Sequence, residues 1–581
     1  MKLSCILAAA LLVIGQPHAA DQPPTREGTA GISKKEYSPY AGRSFPTQPF
    51  FGDTHLHTAV SVDAGTMCTV EQEEAFRFAR GEEITTTHGL RAKLGRPLDF
   101  VVLTDHAEMY GLMPMLKQGD QTILAQPKGK QWYDALTSGN DKKVFETAME
   151  IVGSLSGKEP PLKADPIVKK AWHKYTALAD QYNEPGRFTA LIGYEYTTMG
   201  GNNLHRNVVF RGDASVANQT LPFSQFDSQN PEDLWDALDA FQKKTGAEVL
   251  AIPHNGNLSN GRMFSVNQFD GTTPYDRELA EQRARLEPIV EVTQIKGDGE
   301  AHPMLSPNDE FADFDTWDKS NLNGTEAKTP AMIKAEYARE ALKTGLAVEK
   351  KLGVNPFKFG MIGSTDVHTA MSAVEEDNFF GKHSGVEPEP HRWEHIVIEA
   401  PNPDFTIYGW QQAAGGYAAV WATENTREAI FDAMKRKETY ATTGSRPVVR
   451  FFGGWDFTEE DTQTRMPAAV GYEKGVPMGG DLRAKPGDAQ APTFLVAAMK
   501  DSMSGNLDRI QIVKGWLNDD GSTEEKVYDV VWSHDRKPDA DGKLPPVGNT
   551  VNVEKATWTN TIGAPELMTV WADPDFDADI P

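Results

Sequence analysis

The stretch Asp53-Thr54-His55-Leu56-His57-Thr58 comes just after the apolar pair Phe50-Phe51. Side chains two residues apart on an extended strand point to the same side, so both imidazoles can reach one point in space. Imidazole is the commonest metal ligand among protein side chains. A single pair of this kind is more often a surface accident, so its meaning depends on motifs elsewhere in the chain.

Further His, Asp and Glu residues stand at the ends of other apolar β-type runs. The motifs are Thr104-Asp105-His106, Tyr194-Glu195-Tyr196, Pro253-His254-Asn255 and Ser364-Thr365-Asp366-Val367-His368, with His205 just before the run 207–210. The carboxyl ends of parallel strands are where barrels and α/β sheets place their sites. The joint occurrence of these motifs predicts a metal centre, although each histidine alone would more often be a satisfied core or surface residue.

The donor chemistry narrows the choice of metal. The ligand set is rich in His and carboxylate and contains no Cys, which suits Zn, Mn or Fe. The donors outnumber what one ion can bind. We therefore expect two or three divalent ions, with a carboxylate such as Glu195 bridging between them.

The order of β-type and helical segments predicts an α/β fold. Candidate strands alternate with helices, and their near-continuous apolar character suits a parallel sheet buried on both faces. The predicted strands are 99–103, 189–194, 207–210, 249–252, 289–293, 358–362, 396–398 and 418–421. The predicted helices are 69–81, with Thr69-x-x-Gln72 as a capping box, 230–244, 332–351 and 424–437. Residues 300–328 and 370–394 are predicted to be long loops.

Domain boundaries follow from the same reading. Residues 49–444 form the predicted α/β barrel or doubly wound sheet, within which 112–187 are a helical insertion. Short β-type runs separated by Gly, Pro and Asp predict a small antiparallel β domain over 445–581. The chain ends at 577–581 without a clear terminal element, which leaves truncation open.

The N-terminus predicts export. Lys2, the apolar run Ile6–Ile14 and the small residues near Ala20 resemble a signal peptide over residues 1–20, followed by an extended leader over 21–48. After signal removal no segment reaches the length of a transmembrane helix. The expected location is the periplasm or the outside of the cell. Cys68 is then the lone cysteine of the mature chain, and we expect it to be a small buried residue.

The charge balance restricts the partners. The 581-residue chain has 83 acidic and 58 basic side chains and a formal net charge of -25. Such a surface repels phosphate backbones, so a nucleic-acid partner is not expected. The oligomeric state is left open.

Taken in order, the motifs Asp-x-His-x-His-Thr, Thr-Asp-His, Gly-x-Glu, Pro-His and Ser-x-Asp-x-His resemble those of the PHP (polymerase and histidinol phosphatase) metallohydrolases. The resemblance covers about residues 49–445 and implies a distorted (β/α)7 barrel with up to three metal ions. The implied ligands are His55, His57, Asp63, His106, Glu195, His205, His254, Asp366 and His368. Asp105 is expected to orient a ligating histidine.

Within that superfamily the chain resembles a secreted branch known as a domain of unknown function. This closer resemblance rests on the segments 201–207, 294–300, 440–444 and 507–516 and on the acidic tail. Relatives continue past a similar tail, which agrees with truncation.

The function implied is an exported metal-dependent phosphoesterase acting on mono- or diesters of small molecules. A hydroxide bridging two ions would attack phosphorus, and Lys296, Arg206 and Arg446 are candidates for holding the anionic oxygens. Asp366 or His368 could assist proton transfer to the leaving oxygen, although ligation is the first expectation for both. One alternative keeps the ions and cleaves an amide, lactone or sulfate ester. Another is a non-catalytic metal- or ligand-binding protein, against which the complete ligand set argues.

Overall fold

Apolar β-type runs become strands throughout the computed structural model, which describes residues 45–198, 201–375, 377–385, 389–487, 489–540 and 542–580. The predicted signal peptide and the leader up to residue 44 lie outside the described residues. In the first half of the chain the strands are β1 Phe50–Leu56, β2 Ile84–Thr85, β3 Arg91–Ala92, β4 Phe100–Leu103, β5 Thr189–Tyr196, β6 Arg206–Phe210, β7 Val249–Pro253, β8 Ile289–Gln294 and β9 Gly297–Asp298. In the second half they are β10 Gly360–Gly363, β11 Ile396–Ile398, β12 Ile407–Tyr408, β13 Tyr417–Val420, β14 Thr439–Thr442, β15 Val448–Gly454, β16 Gly475–Pro477, β17 Thr493–Met499, β18 Arg509–Leu517, β19 Thr523–Trp532 and β20 Glu566–Ala572.

Helices lie between the strands at most of the predicted places. They are α1 Ala64–Met67, α2 Gln72–Ala79, α3 Leu112–Lys117, α4 Gln121–Leu124, α5 Pro127–Leu136, α6 Asp141–Ser154, α7 Asp165–Tyr182, α8 Ala214–Ala217, α9 Pro231–Thr245, α10 Arg277–Leu286, α11 Pro330–Ile333, α12 Ala338–Leu352, α13 Arg427–Lys435 and α14 Pro467–Lys474. Short 3₁₀ helices occur at Gly256–Leu258, Arg392–Glu394, Pro403–Phe405, Gly409–Gln411 and Glu459–Gln463. In the described part of the chain, no helix combines the length and the apolar character needed to cross a membrane.

The protein is a mixed α/β protein whose largest sheet is a curled half-barrel of strands in the order β14-β13-β1-β4-β5-β6-β7. Strands β1, β4 and β5 run parallel, whereas the β5–β6, β6–β7, β1–β13 and β13–β14 pairs are antiparallel. The expectation of a parallel sheet is therefore wrong for β6 and β13, which run opposite to β1, β4 and β5. Only residues 197–205 connect β5 to β6, fewer than the dozen or more that a parallel crossover needs.

A second sheet has the order β10-β8-β9, with β8 and β10 parallel. Strand β8 packs beside β7 and β10 packs beside β14, so this small sheet lies between the two edges of the large one. Among the described strands, no ladder of hydrogen bonds closes the two sheets into a barrel. One isolated parallel bridge, Leu56 to Val367, joins the segment after β10 to β1.

The core explains the continuous apolar runs. Strands β4 and β5 are buried on both faces, and helix α7 packs against one of them. Trp172 and Tyr175 of α7 pack in that core, and the Tyr175 hydroxyl donates to the carbonyl of Leu103 at 2.9 Å. The assignment of 112–187 as an insertion stays a prediction.

The strands after Gly444 are antiparallel, as predicted from the short β-type runs separated by Gly, Pro and Asp. They form a sheet in the order β16-β15-β17-β20 and the hairpin β18–β19. The hairpin contacts α12, where Lys343 pairs with Glu525 at 3.1 Å. A domain boundary at residue 445 stays a prediction.

Two predicted helix boundaries are wrong. Helix α2 begins at Gln72 rather than after a Thr69 cap, because the Gln72 side chain turns into the core and donates to Asp105 and to Tyr110, each at 2.7 Å. The predicted helix 332–351 is split between α11 and α12. At the break, the Glu336 carboxylate is buried against Lys328 and accepts from the Gly261 amide at 2.9 Å. Cys68 is buried and free, as expected.

Candidate metal centre

His55, on strand β1, and His57, directly after its last residue, form one side of the cluster. Both side chains are fully buried, and their Nε2 atoms lie 3.1 Å apart. The strand geometry therefore brings the two imidazoles to one point, as the one-residue spacing predicted. The other ring nitrogens are held from behind: His57 Nδ1 lies 2.8 Å from the Ser61 hydroxyl, and His55 Nδ1 lies 3.1 Å from both carboxylate oxygens of Glu291.

Glu195, near the end of β5, lies between four histidines. Its Oε1 is 2.8 Å from His205 Nδ1 and 2.9 Å from His254 Nε2. Its Oε2 is 2.8 Å from His106 Nδ1 and 3.3 Å from His57 Nε2. A carboxylate that faces different histidines through its two oxygens has the geometry of a bridging ligand.

Asp63 and the two outer histidines form the more open side of the cluster. Asp63 Oδ2 is 2.9 Å from His368 Nε2 and 3.3 Å from His106 Nε2. Its Oδ1 accepts from the Ala64 amide at 2.6 Å, which caps α1. Asp63 can therefore cap the helix through Oδ1 and bind a metal through Oδ2.

Asp366 enters from the segment after β10. Its backbone has a φ of 54°, a left-handed conformation that is uncommon for a non-glycine residue and recurs at functional sites. Its Oδ1 is 3.4 Å from Nε2 of both His55 and His57. Its amide donates to the His55 carbonyl at 2.8 Å, which fixes the segment against β1.

Two lysines also contact the Asp366 carboxylate. Lys296 Nζ contacts Oδ2, and Lys382 Nζ lies 2.7 Å from Oδ1. Lys382 is also 2.9 Å from His368 Nδ1. Burial lowers the pKa of the Lys382 ammonium to about 7, although the Asp366 carboxylate favours its charged form.

The ionisation of the cluster suits cations. Burial raises the pKa of buried acids, but the neighbouring histidines and lysines outweigh it and hold the pKa of Glu195, Asp63 and Asp366 well below the usual range. Burial, together with the charge of His55, lowers the pKa of His254 to about 4, whereas neighbouring carboxylates outweigh burial and raise the pKa of His55 and of His106, so those two imidazoles would release a proton when a metal binds. Ionised carboxylates and neutral imidazoles are the forms that bind metal.

The predicted ligands fall into groups that could hold ions. In each group the donor atoms lie within 4.8 Å of one another. The groups are His57, Asp63, His106 and His368; His55, His57 and Asp366; Glu195, His205 and His254; and His55, His254 and Glu291. The structure thus brings all of the predicted ligands together and adds Glu291.

Two atoms in this cluster have no aligned partner among the described protein atoms. Glu195 Oε2 is buried with no donor in hydrogen-bond geometry, although His106 Nδ1 is 2.8 Å away, and His254 Nδ1 is buried without a partner. Two ligands of one cation would lie close together in this way without forming a hydrogen bond to each other. The donor set and these atoms fit a metal centre.

Sequence reasoning missed Glu291 and Lys382. Glu291 is a charged residue in the middle of the apolar strand β8, which is an anomaly that could have drawn attention to it. Lys382 lies in the predicted loop 370–394, and nothing in its local sequence marks it. It reaches the centre because the Lys382 carbonyl accepts from the His368 amide at 2.7 Å.

Two other predicted polar residues, Arg206 and Arg446, make their contacts away from the cluster. Arg206 is next to His205 on β6 and therefore points to the opposite face, where Nε donates to Glu287 at 2.9 Å. The Arg446 guanidinium donates to the carbonyls of Arg96 and Pro97.

Asp105 does not orient a histidine. Its Oδ1 accepts from the Thr58 amide at 2.6 Å, its Oδ2 accepts from Gln72, and the pKa of this buried carboxyl is raised to about 6 by burial. The carboxylate therefore holds the turn that follows His57.

Comparison with known proteins gives one family and one structure. A family model described as "Protein of unknown function (DUF3604)" matches residues 44–580. A two-domain protein from Bacteroides vulgatus ATCC 8482, described as containing a predicted PHP-like metal-dependent phosphoesterase, is similar at 13% identity over 91% of this chain and 98% of that one. Its TM-score is 0.26, which does not establish a shared fold. Among curated proteins, none matches the chain.

Proposed function

This chain belongs to the DUF3604 family of proteins of unknown function, and we propose that it is a metal-dependent hydrolase that cleaves phosphate esters. The observation that carries the proposal is the buried cluster of histidines and ionised carboxylates around Glu195. A cluster with this many donors exceeds what a structural site requires.

The ions would be held by the four ligand groups described above, with Glu195 facing two of them. Divalent ions in such a site lower the pKa of water and neutralise phosphoryl oxygens. Ser61 and Glu291 hold His57 and His55 in orientation through Nδ1, leaving Nε2 of each ring towards the centre. Lys296 and Lys382 supply positive charge at the edge of the centre, where anionic oxygens of a substrate would lie.

Burial supports a reaction shielded from bulk water. His55, His57, His254 and Asp366 are fully buried, while Asp63 keeps 29% of its side chain exposed. We infer that substrate approaches on the Asp63 side. Electrostatic contacts inside such a site are stronger than in water.

We propose that the chain is a PHP-type metallohydrolase with a distorted barrel, that the metals are Zn, Mn or Fe in two or three sites, and that residues 1–20 direct export. The ordered motifs support the first, the nitrogen and oxygen donors the second, and the charged and apolar pattern of 1–20 the third.

The test combines metal analysis with a substrate panel. Elemental analysis of purified protein should give at least two divalent ions per chain. Aryl phosphate mono- and diesters should be hydrolysed with Mn or Zn, and a chelator should abolish turnover. Hydrolysis restricted to carboxyl or sulfate esters would replace the phosphoesterase with another metallohydrolase. Tightly held ions without turnover on the whole panel would indicate a binding protein.

A further inference from the structure

Lys296 and Lys382 both contact the single carboxylate of Asp366, one through each oxygen. We propose that these two lysines form a binding site for a phosphate dianion, so that the substrate is a phosphate monoester rather than a diester. The inference rests on the proposed function and adds its substrate class.

Both ammonium groups are fixed at the centre. The Lys382 side chain is 4% exposed and that of Lys296 is 12% exposed. Lys382 Nζ is 2.7 Å from Asp366 Oδ1 and 2.9 Å from His368 Nδ1, so it lies between two of the predicted ligands. A lysine held in this way presents a compact point charge to an anion.

The backbone on either side holds the lysines in place. The Lys296 carbonyl accepts from Asn257 Nδ2 at 3.1 Å, and the Ile295 amide donates to the Thr365 carbonyl at 3.2 Å. The Lys382 carbonyl accepts from the His368 amide at 2.7 Å. Two lysines from distant parts of the chain are thus placed against one residue before any substrate arrives.

Charge balance distinguishes the two ester classes. The carboxylates of the ligand groups are Asp63, Glu195, Glu291 and Asp366, four negative charges in all. If the centre holds two divalent ions, their charge balances these four, and the two lysines add up to two positive charges when both are protonated. A phosphate monoester carries about 1.5 to 2 negative charges at neutral pH because its second pKa is about 6. A diester carries one and leaves half of this positive charge unused.

A purely structural role for the lysines explains less. One ammonium is sufficient to balance the Asp366 carboxylate, yet two are present. Placing a second buried ammonium beside the same carboxylate costs desolvation free energy that one pair does not require. A bound dianion would compensate that cost.

Binding of unreactive anions tests the inference without relying on turnover. Inorganic phosphate at pH 8 stands for the dianion and dimethyl phosphate for the diester, each titrated calorimetrically into the metal-loaded protein. We expect phosphate to bind more tightly than dimethyl phosphate by about tenfold or more, since a charge-assisted contact contributes about 1.5–3 kcal/mol. Lys382→Gln and Lys296→Gln should each weaken phosphate binding about tenfold and change dimethyl phosphate binding far less.

Matched variants separate binding from stability. Lys343 is also buried and paired, with Glu340 at 2.8 Å and Glu525 at 3.1 Å, but it lies on α12 against the hairpin β18–β19. Lys343→Gln should lower stability and leave the preference for phosphate intact. Lys382→Arg, which keeps the charge, should restore part of the phosphate affinity lost in Lys382→Gln, and elemental analysis should give unchanged metal content in every variant.

The outcomes are distinct. Equal affinity for the two anions in the wild-type protein, or an unchanged preference in both glutamine variants, would overturn the dianion site. If Lys382→Gln fails to fold, Lys296→Gln and Lys382→Arg decide the question alone. Wild-type protein that hydrolyses diesters in preference to monoesters would overturn the substrate class while leaving the phosphoesterase proposal standing. Selective phosphate binding without hydrolysis of any phosphate ester would contradict the proposed function instead.

Discussion

Glu291 directs both carboxylate oxygens at Nδ1 of His55, each at 3.1 Å. A carboxylate behind a histidine fixes the tautomer and the ring orientation, and it raises the basicity of the nitrogen that faces the metal. We expect Glu291→Gln to lower metal affinity or activity about 10–100-fold while the protein stays folded. Competition with a fluorescent chelator measures the affinity. An unaltered affinity would show that Glu291 has no part in the centre.

Glu195→Gln should have a larger effect, because Glu195 faces four histidines through its two oxygens. Loss of this negative charge should remove at least one ion per chain and reduce turnover by more than about 100-fold. Elemental analysis and an aryl phosphate assay provide the two measurements. Glu438→Gln is the matched control, since Glu438 is equally buried but pairs with Arg436 and Tyr472 away from the centre. Similar metal loss in both variants would point to general destabilisation.

The free energy of unfolding of the metal-free protein should depend on pH through the titration of His55. Burial lowers the pKa of this imidazole, but the carboxylates of Asp366 and Glu291 outweigh burial and raise it from 6.5 to about 10. A raised pKa in the folded state stabilises the protein fully below pH 6.5, and that contribution is lost as the pH rises through about 10. In the presence of chelator, the free energy of unfolding should therefore fall more steeply over this window in the wild type than in His55→Gln. Denaturant titrations at several pH values make the comparison, and parallel curves would count against it.

The sequence predicted that Arg206 holds anionic oxygens of the substrate, whereas in the structure it pairs with Glu287. A substitution distinguishes these two roles. Arg206 Nε donates to Glu287, which also accepts from Trp235 at 2.9 Å and from Arg283 at 3.1 Å. Because the pair is buried, Arg206→Gln should lower the free energy of unfolding by about 3 kcal/mol and leave the metal content unchanged. If Arg206→Gln weakened phosphate binding as much as Lys382→Gln does, Arg206 would instead have a direct role in binding anions.

Much of the ligand cluster could be predicted because its residues stand at the ends of recognisable strands. His106, Glu195, His254 and Asp366 follow apolar runs, and the one-residue spacing of His55 and His57 fixes their common direction. Glu291 and Lys382 could not be found in the same way, since one lies within a strand and the other in a long loop whose path depends on tertiary contacts. The direction of β6 was predictable in principle from the short connection 197–205, but apolar character alone does not distinguish parallel from antiparallel pairing.

The metal-ligand candidates come from two β-sheets that no ladder of hydrogen bonds joins among the described strands. His55 and His57 stand on the large sheet, whereas Glu291 belongs to the small one and Asp366 follows its strand β10. An ion held between them would act as a cross-link between the sheets, joining parts of the chain more than 200 residues apart in the manner of a disulfide. When the metal is removed, amide hydrogen exchange should therefore become faster in β8 and β10 before it becomes faster in β4 and β5. The ions would thus couple the small sheet to the cooperative unit that the large sheet forms.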